Sequence, residues 1–174
     1  RDQFISLPGL TLSIEEQDYF ELVMQTAEKG LREFMNDKPV SVDIYEMDKP
    51  DVPLWCVWAI QQYAKKAGKV RCKELYGTFL HDIIDYLATD KHPNLVLDEN
   101  GLLYADAKGE AITWMNSMNN GQPVVPRSGY IVEFNALWYN ALRFVATIER
   151  ESGNEEYAEK LDTLADKCKA SFID

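Results

Sequence analysis

Apolar positions recur along this chain at helical spacing, and they do so in pairs of unlike segments. Phe4–Leu12 is short and apolar on most sides, with Leu7-Pro8-Gly9 interrupting it. The next segment carries Phe20, Val23, Met24, Ala27, Leu31 and Phe34 on one face and charges on the other, the pattern of a surface helix. Ser13 and Glu16 ahead of it have capping-box spacing. A second pair opens at Asp51, a candidate N-cap, with Pro53 in the first turn and Leu54–Ile60 apolar all round. Its partner, Leu75–Leu87, has a single stripe of Tyr76, Phe79, Leu80, Ile83, Ile84 and Leu87. In the third pair, Ile131–Ile148 is apolar on nearly every side. Asn154–Phe172 has only the stripe Tyr157, Leu161, Leu164, Ala165, Cys168 and Phe172. Between them Gly153 supplies a stop and Asn154 a cap.

A helix apolar all round is buried, whereas one with a single stripe lies at the surface. The pattern therefore predicts an all-α chain of three antiparallel hairpins, a buried helix first in each and an amphipathic helix second. Two concentric layers satisfy it. So does a solenoid of stacked hairpins. Strands are scarce, and Asn36–Pro50 and His92–Glu110 read as long connections, which in a compact domain are usually functional. Asn119-Asn120-Gly121 is a turn signal.

Composition narrows the function. With 174 residues, 46% hydrophobic and 27% charged, the chain is the size of one soluble domain with a sizeable core. Its 29 acidic against 18 basic residues give a net charge of −11. That acidity argues against nucleic acid or an anionic membrane as partner, since phosphate binding needs a positive field. Three cysteines (Cys56, Cys72, Cys168) lack both disulfide and zinc spacing, so a reducing, cytoplasmic location is expected. Leu54–Ile60 is far too short to span a bilayer. The chain starts at Arg1 without a Met, so further N-terminal sequence is expected. His81 and His92 have no metal-ligand partner spacing and read as surface residues; no metal or organic cofactor is expected.

The candidate chemistry sits at helix starts. Arg1-Asp2, Asp51 and the Trp114–Arg127 loop each lie at the N-terminal end of a buried segment. In a ring of like-oriented inner helices those ends converge on one mouth, where a rigid scaffold usually carries function. Each residue also has a plainer role. Trp55, Trp58 and Trp138 on buried helices are core residues by default, and Cys56 a small hydrophobe. Asp51 is a helix cap. Glu133, among Ile131, Val132, Phe134 and Ala136, needs a partner, for which Arg127 is the candidate. Trp114, in a polar loop, suits ligand stacking as well as packing.

Three stretches, "RDQFISLPGLTL", "DVPLWCVWAIQQY" and "AITWMNSMNNGQPVVPRSGYIVEFNALWYNAL", occur in that order. They resemble the glucosidase domain of glycogen debranching enzymes, the amylo-α-1,6-glucosidases and their bacterial relatives, and more distantly the glucoamylases. The resemblance implies an (α/α)6 toroid of six hairpins, of which this chain would be the N-terminal half, and an α-glucan such as glycogen or limit dextrin as substrate. It implies that Arg1 and Asp2 help hold the terminal glucose and that Asp51 and Trp55 line its pocket. Trp114 and Asn116 match a Thr-Trp-Met-Asp motif, whose Asp would be the general acid. Arg127, Glu133, Asn135 and Trp138 match the Pro-Arg and Glu-x-Asn-Ala-Leu-Trp elements, which by the resemblance makes Glu133 a catalytic candidate and Arg127, Asn135 and Trp138 expected sugar contacts. The departure falls on Asn116.

That departure is chemical. Hydrolysis with inversion needs a carboxylic acid to protonate the leaving oxygen and a carboxylate to activate water, roughly 6.5–9.5 Å apart. An amide has no titratable proton to donate. Glu133 is the nearest carboxyl in the motif, although a helix N-terminus favours its ionised form. The second carboxylate is expected in sequence following Asp174. Three readings result: a glycoside hydrolase acting at α-1,6 branch points, a catalytically degenerate carbohydrate-binding protein of the same fold, and a helical protein-binding scaffold. A half toroid that ended at Asp174 would also expose apolar inner helices, an edge that another subunit of a homo-oligomer would then have to cover.

Overall fold

The computed structural model describes residues 1–173. Six α-helices dominate: α1 (Asp2–Leu10), α2 (Gln17–Met35), α3 (Val52–Ala67), α4 (Lys69–Ala88), α5 (Val132–Glu151) and α6 (Glu155–Ile173). The predicted stripes face inward. Phe20, Met24, Ala27 and Leu31 of α2, all six stripe residues of α4, and Leu161, Ala165 and Cys168 of α6 are buried. Phe172, predicted on the last stripe, is exposed.

The helices form two layers. α3 lies between α1 and α5, and α4 packs on both α3 and α5 from the other side, while α2 rests on α3 and α6 on α5. Aromatic contacts knit the layers together: Phe20 of α2 stacks on Tyr63 of α3 at 5.1 Å, and Tyr63 meets Tyr76 of α4 edge-on at 5.5 Å. Gln61 and Asn140 exchange two side-chain hydrogen bonds, both 3.1 Å, between α3 and α5. Gln61 stands ten residues after Asp51 and Asn140 nine after Ile131, the two residues that precede these helices. A second link lies at their starts, where Arg1 and Glu46 connect Asp51 to Asn116 in the loop before α5. The two helices therefore run side by side in one direction, with their N-terminal ends level.

The departures from the sequence pattern are local. The Ser13–Glu16 capping box does not form. Ser13 is taken into a single 3₁₀ turn, Leu12–Ile14, pinned by buried Leu12, and α2 starts after Glu16 without a side-chain cap. Asp51 precedes α3 but makes no cap bond, because its carboxylate binds Arg1 instead. α4 begins directly after Gly68 (φ 88°), earlier than its apolar stripe indicated. The first expected hairpin is loose, since α1 packs against α3.

The span 92–110 contains a two-stranded hairpin, β1 (Leu95–Leu97) with β2 (Leu103–Ala105), paired antiparallel with Leu95 opposite Ala105. Asn120 (φ 49°) and Gly121 (φ 77°) turn a second small hairpin, β3 (Met118–Asn119) with β4 (Gln122–Pro123), as their sequence signalled. His92 is not a surface residue. It is 3% exposed, packed between Phe34 and Tyr86, with Nδ1 accepting the Asn94 N–H at 3.1 Å. No helix among the described residues is long and apolar enough to cross a membrane.

Candidate functional site

Three segments meet at the N-terminal ends of α1, α3 and α5. The first is Arg1. Its guanidinium is buried and grips Asp51 through two bonds, Nε to Oδ2 at 2.5 Å and Nη2 to Oδ1 at 3.0 Å. This fork ties the start of α1 to the start of α3, and each charge lies within reach of its complement, as a buried ion pair requires. The third Arg1 nitrogen, Nη1, donates to Glu46 Oε2 at 3.2 Å.

Glu46 belongs to the connection between α2 and α3. That connection is seated on α2 at Gly30, where a Cβ would come within 2.5 Å of Val42 and 3.2 Å of Met47. Met47 is buried, and Glu46 beside it takes a left-handed backbone (φ 58°), unusual for a residue with a side chain. The other carboxylate oxygen of Glu46 accepts the Asn116 Nδ2–H at 3.2 Å. Arg1, Asp51 and Asn116 are thus brought together, through a residue whose letter in the sequence carried no signal beyond the length of its loop. A cavity of about 290 Å3 opens here, lined by Arg1, Asp2, Asp43, Tyr45 and Glu46 among others.

The loop before α5 is anchored from below. Ile112 and Thr113 are buried, and the Thr113 hydroxyl accepts the Met115 N–H at 3.1 Å, a local turn that sends Trp114 outward with 59% of its surface exposed. Further on, Ala105 and Gly129 exchange backbone bonds of 2.9 and 2.8 Å, which fasten the loop to β2. Arg127 then grips Glu133 through both nitrogens of its fork, one bond being 2.9 Å. This pair is half-buried. Burial pushes the Glu133 carboxyl up, but the Arg127 bonds and its own backbone N–H outweigh that, with Trp114 acting in the same direction. The net effect holds Glu133 below the usual carboxylate range.

Two expected sugar contacts lie elsewhere. Asn135 is 1% exposed and Trp138 fully buried. Asn135 Oδ1 accepts the Leu103 N–H at 2.7 Å and its Nδ2 donates to the Leu103 carbonyl at 3.0 Å, while the Trp138 indole donates to the Gly101 carbonyl at 3.3 Å. With their polar atoms committed to the β1–β2 hairpin, they hold that hairpin against α5. Trp55 is half-buried, edge-on to Trp58 at 5.5 Å, and Asp2 is exposed on the first turn of α1. A wider cleft of about 420 Å3 between α2 and α4, lined by Asp18, Glu21 and Glu28, contains none of these residues.

The family model described as amylo-alpha-1,6-glucosidase matches residues 1–174. The chain belongs to the amylo-alpha-1,6-glucosidase family. No curated protein and no solved structure matches it. For a member of that family the rim has a particular chemistry. Asp51, Glu46 and Glu133 are each held by an arginine, and position 116, where the resembling motif has an acid, presents an amide. No group of three or more His, Cys, Asp or Glu side chains among the described residues is arranged to hold a metal ion.

Proposed function

We propose that this protein acts on α-glucans, as a glycoside hydrolase that removes glucose at α-1,6 branch points of glycogen or limit dextrin. The observation that carries this reading is the Arg1–Asp51 fork, joined through Glu46 to Asn116 beside a cavity, with the Arg127–Glu133 pair at the start of α5, in a chain of this family. Three like-oriented inner helices backed by an outer layer support half of an (α/α)6 toroid, with the remaining edge closed by further sequence or by another copy. The reaction we assign is inverting acid–base hydrolysis. Exposed Trp114 stacks on a sugar ring, and Arg1 with Asp51 fixes the pocket wall. Glu133, kept ionised by Arg127, accepts a proton more readily than it donates one, so it suits the water-activating carboxylate better than the acid.

A second reading is favoured by one observation. Glu133 is held in its ionised form by Arg127, and Asn116 has no titratable proton to donate. A carbohydrate-binding member of the fold needs no donor. Incubating the full-length protein with limit dextrin separates the two. Release of glucose establishes the hydrolase, whereas saturable glucan binding without release establishes the binding protein. Failure to bind any glucan removes both.

A further inference from the structure

Glu46 has two features that no helix pattern called for. It sits in a left-handed backbone conformation, and its carboxylate joins two loops that are otherwise separate, through Arg1 Nη1 and Asn116 Nδ2, each at 3.2 Å. A carboxylate offers about four lone-pair sites, and these two bonds fill only half of them. The side chain is 34% exposed and lines the rim cavity, so the remaining acceptor sites face water.

The same carboxylate decides which way the Asn116 amide points. Turned over, Asn116 would set its carbonyl oxygen against a carboxylate oxygen, acceptor against acceptor. With Nδ2 on Glu46, the Asn116 Oδ1 is left exposed, and it accepts no hydrogen bond among the described residues. The result is a row of preorganised acceptors: Asn116 Oδ1 and the free lone pairs of Glu46. Sugar hydroxyls are donors, and adjacent hydroxyls on one ring match adjacent acceptors. Because Arg1 and Asn116 already hold Glu46 in place, little side-chain freedom remains to be lost when a sugar arrives.

We infer that Glu46 is a substrate-positioning residue of the α-glucan site, reading vicinal hydroxyls of a bound glucose itself and orienting Asn116 to read another. This rests on the α-glucan reading above. It also gives the asparagine a purpose, since an amide oriented by Glu46 turns its carbonyl oxygen outward as a hydrogen-bond acceptor.

The test is isomaltose binding by calorimetry to the full-length protein and to Glu46→Gln, Asn116→Ala and the double variant, with the melting temperature of each recorded. Glu46→Gln keeps the shape but loses the charge and the fixed orientation. It is expected to weaken binding about ten-fold or more. The double variant should bind little worse than Glu46→Gln alone, because the two residues act as one unit. Glu46→Asp keeps the charge but draws it back by a methylene; binding should stay weakened with the melting temperature held. If wild type and Glu46→Gln bind isomaltose alike, or the two losses simply add, the inference about Glu46 fails while the α-glucan reading stands. If wild type binds no glucan, both fall.

Discussion

The two arginine–carboxylate forks at the rim use the same chemistry in different surroundings. Arg1 and Asp51 leave 3% and 2% of their side chains exposed, while Arg127 and Glu133 leave 22% and 28%. Buried, a fork joins two helices and cannot be broken without stranding a charge. Half-buried, it leaves a carboxylate partly open to solvent and can be broken at small cost. Geometry alone does not tell architecture from function here; the degree of burial does.

The sharpest way to break that contrast is Asp51→Asn. Losing one partner of a buried pair costs about 3–5 kcal/mol, so urea denaturation should show a fall of that order. A stability within about 1 kcal/mol of wild type, the range of exposed pairs, would place this fork with Arg127–Glu133.

His92 supplies a third case, a buried titratable group with no charged fork. Burial lowers its pKa, offset in part by nearby Asp48, to about 4 from 6.5. Above 6.5 it is neutral whether the chain is folded or not. Between 6.5 and about 4 only the unfolded chain takes up the proton, so stability falls as pH falls through this window, by about 3 kcal/mol in all. His92→Phe, set among Phe34 and Tyr86, should flatten that slope in denaturation curves taken at pH 7 and 4.5. An unchanged slope would mean that His92 is charged in the fold.

Asn116→Asp probes the gap between the forks. It would bring a carboxylate to the position now 3.2 Å from Glu46 Oε1, where like charges favour retention of one proton. A carboxyl whose pKa is raised on folding contributes below its ordinary pKa and loses that contribution as pH rises. The variant should therefore be about 1 kcal/mol less stable at pH 7 and recover near pH 4. Its pH–rate profile on limit dextrin should gain an alkaline limb, where the new acid loses its proton. An unaltered profile would count against position 116 facing the leaving group.

Glu133→Gln should have the smallest effect on stability, about 1 kcal/mol or less, because the pair is partly solvated. Its depressed pKa contributes above the ordinary carboxylate range, and that contribution is lost as pH falls through the folded value. Hydrolysis of limit dextrin by the full-length variant should nevertheless be abolished. Retained hydrolysis would move Glu133 into the architectural class with Asp51.

Much of this was legible in the sequence because burial writes itself as periodicity. The stripes of α2 and α4 and the turn at Asn120-Gly121 needed no tertiary information. The convergence of Arg1, Asp51 and the Trp114 loop followed from the order of helix starts, and the Arg127–Glu133 pair from a charge placed among apolar neighbours. What periodicity cannot carry is which polar partner a polar residue chooses. Asp51 looked like a cap because a local bond is the default for that residue type; only the fold reveals Arg1 fifty positions away. Asn135 and Trp138 resembled ligand contacts, but their partners are backbone groups of a hairpin too short to show in the pattern. Glu46 was hidden for the opposite reason, since it lies in a loop with no period at all.

The Gln61–Asn140 amide pair bears on all of these experiments. Helices in contact can slip by a turn, about 5.4 Å, and such a slip between α3 and α5 would carry Asp51 and Glu133 out of step. Two neutral amides that donate to and accept from each other work like a ruler clipped across both rods. Neither salt nor acid discharges them. The rim can therefore lose its ion pairs one at a time, by titration or mutation, while the level at which the two helices present their ends stays the same.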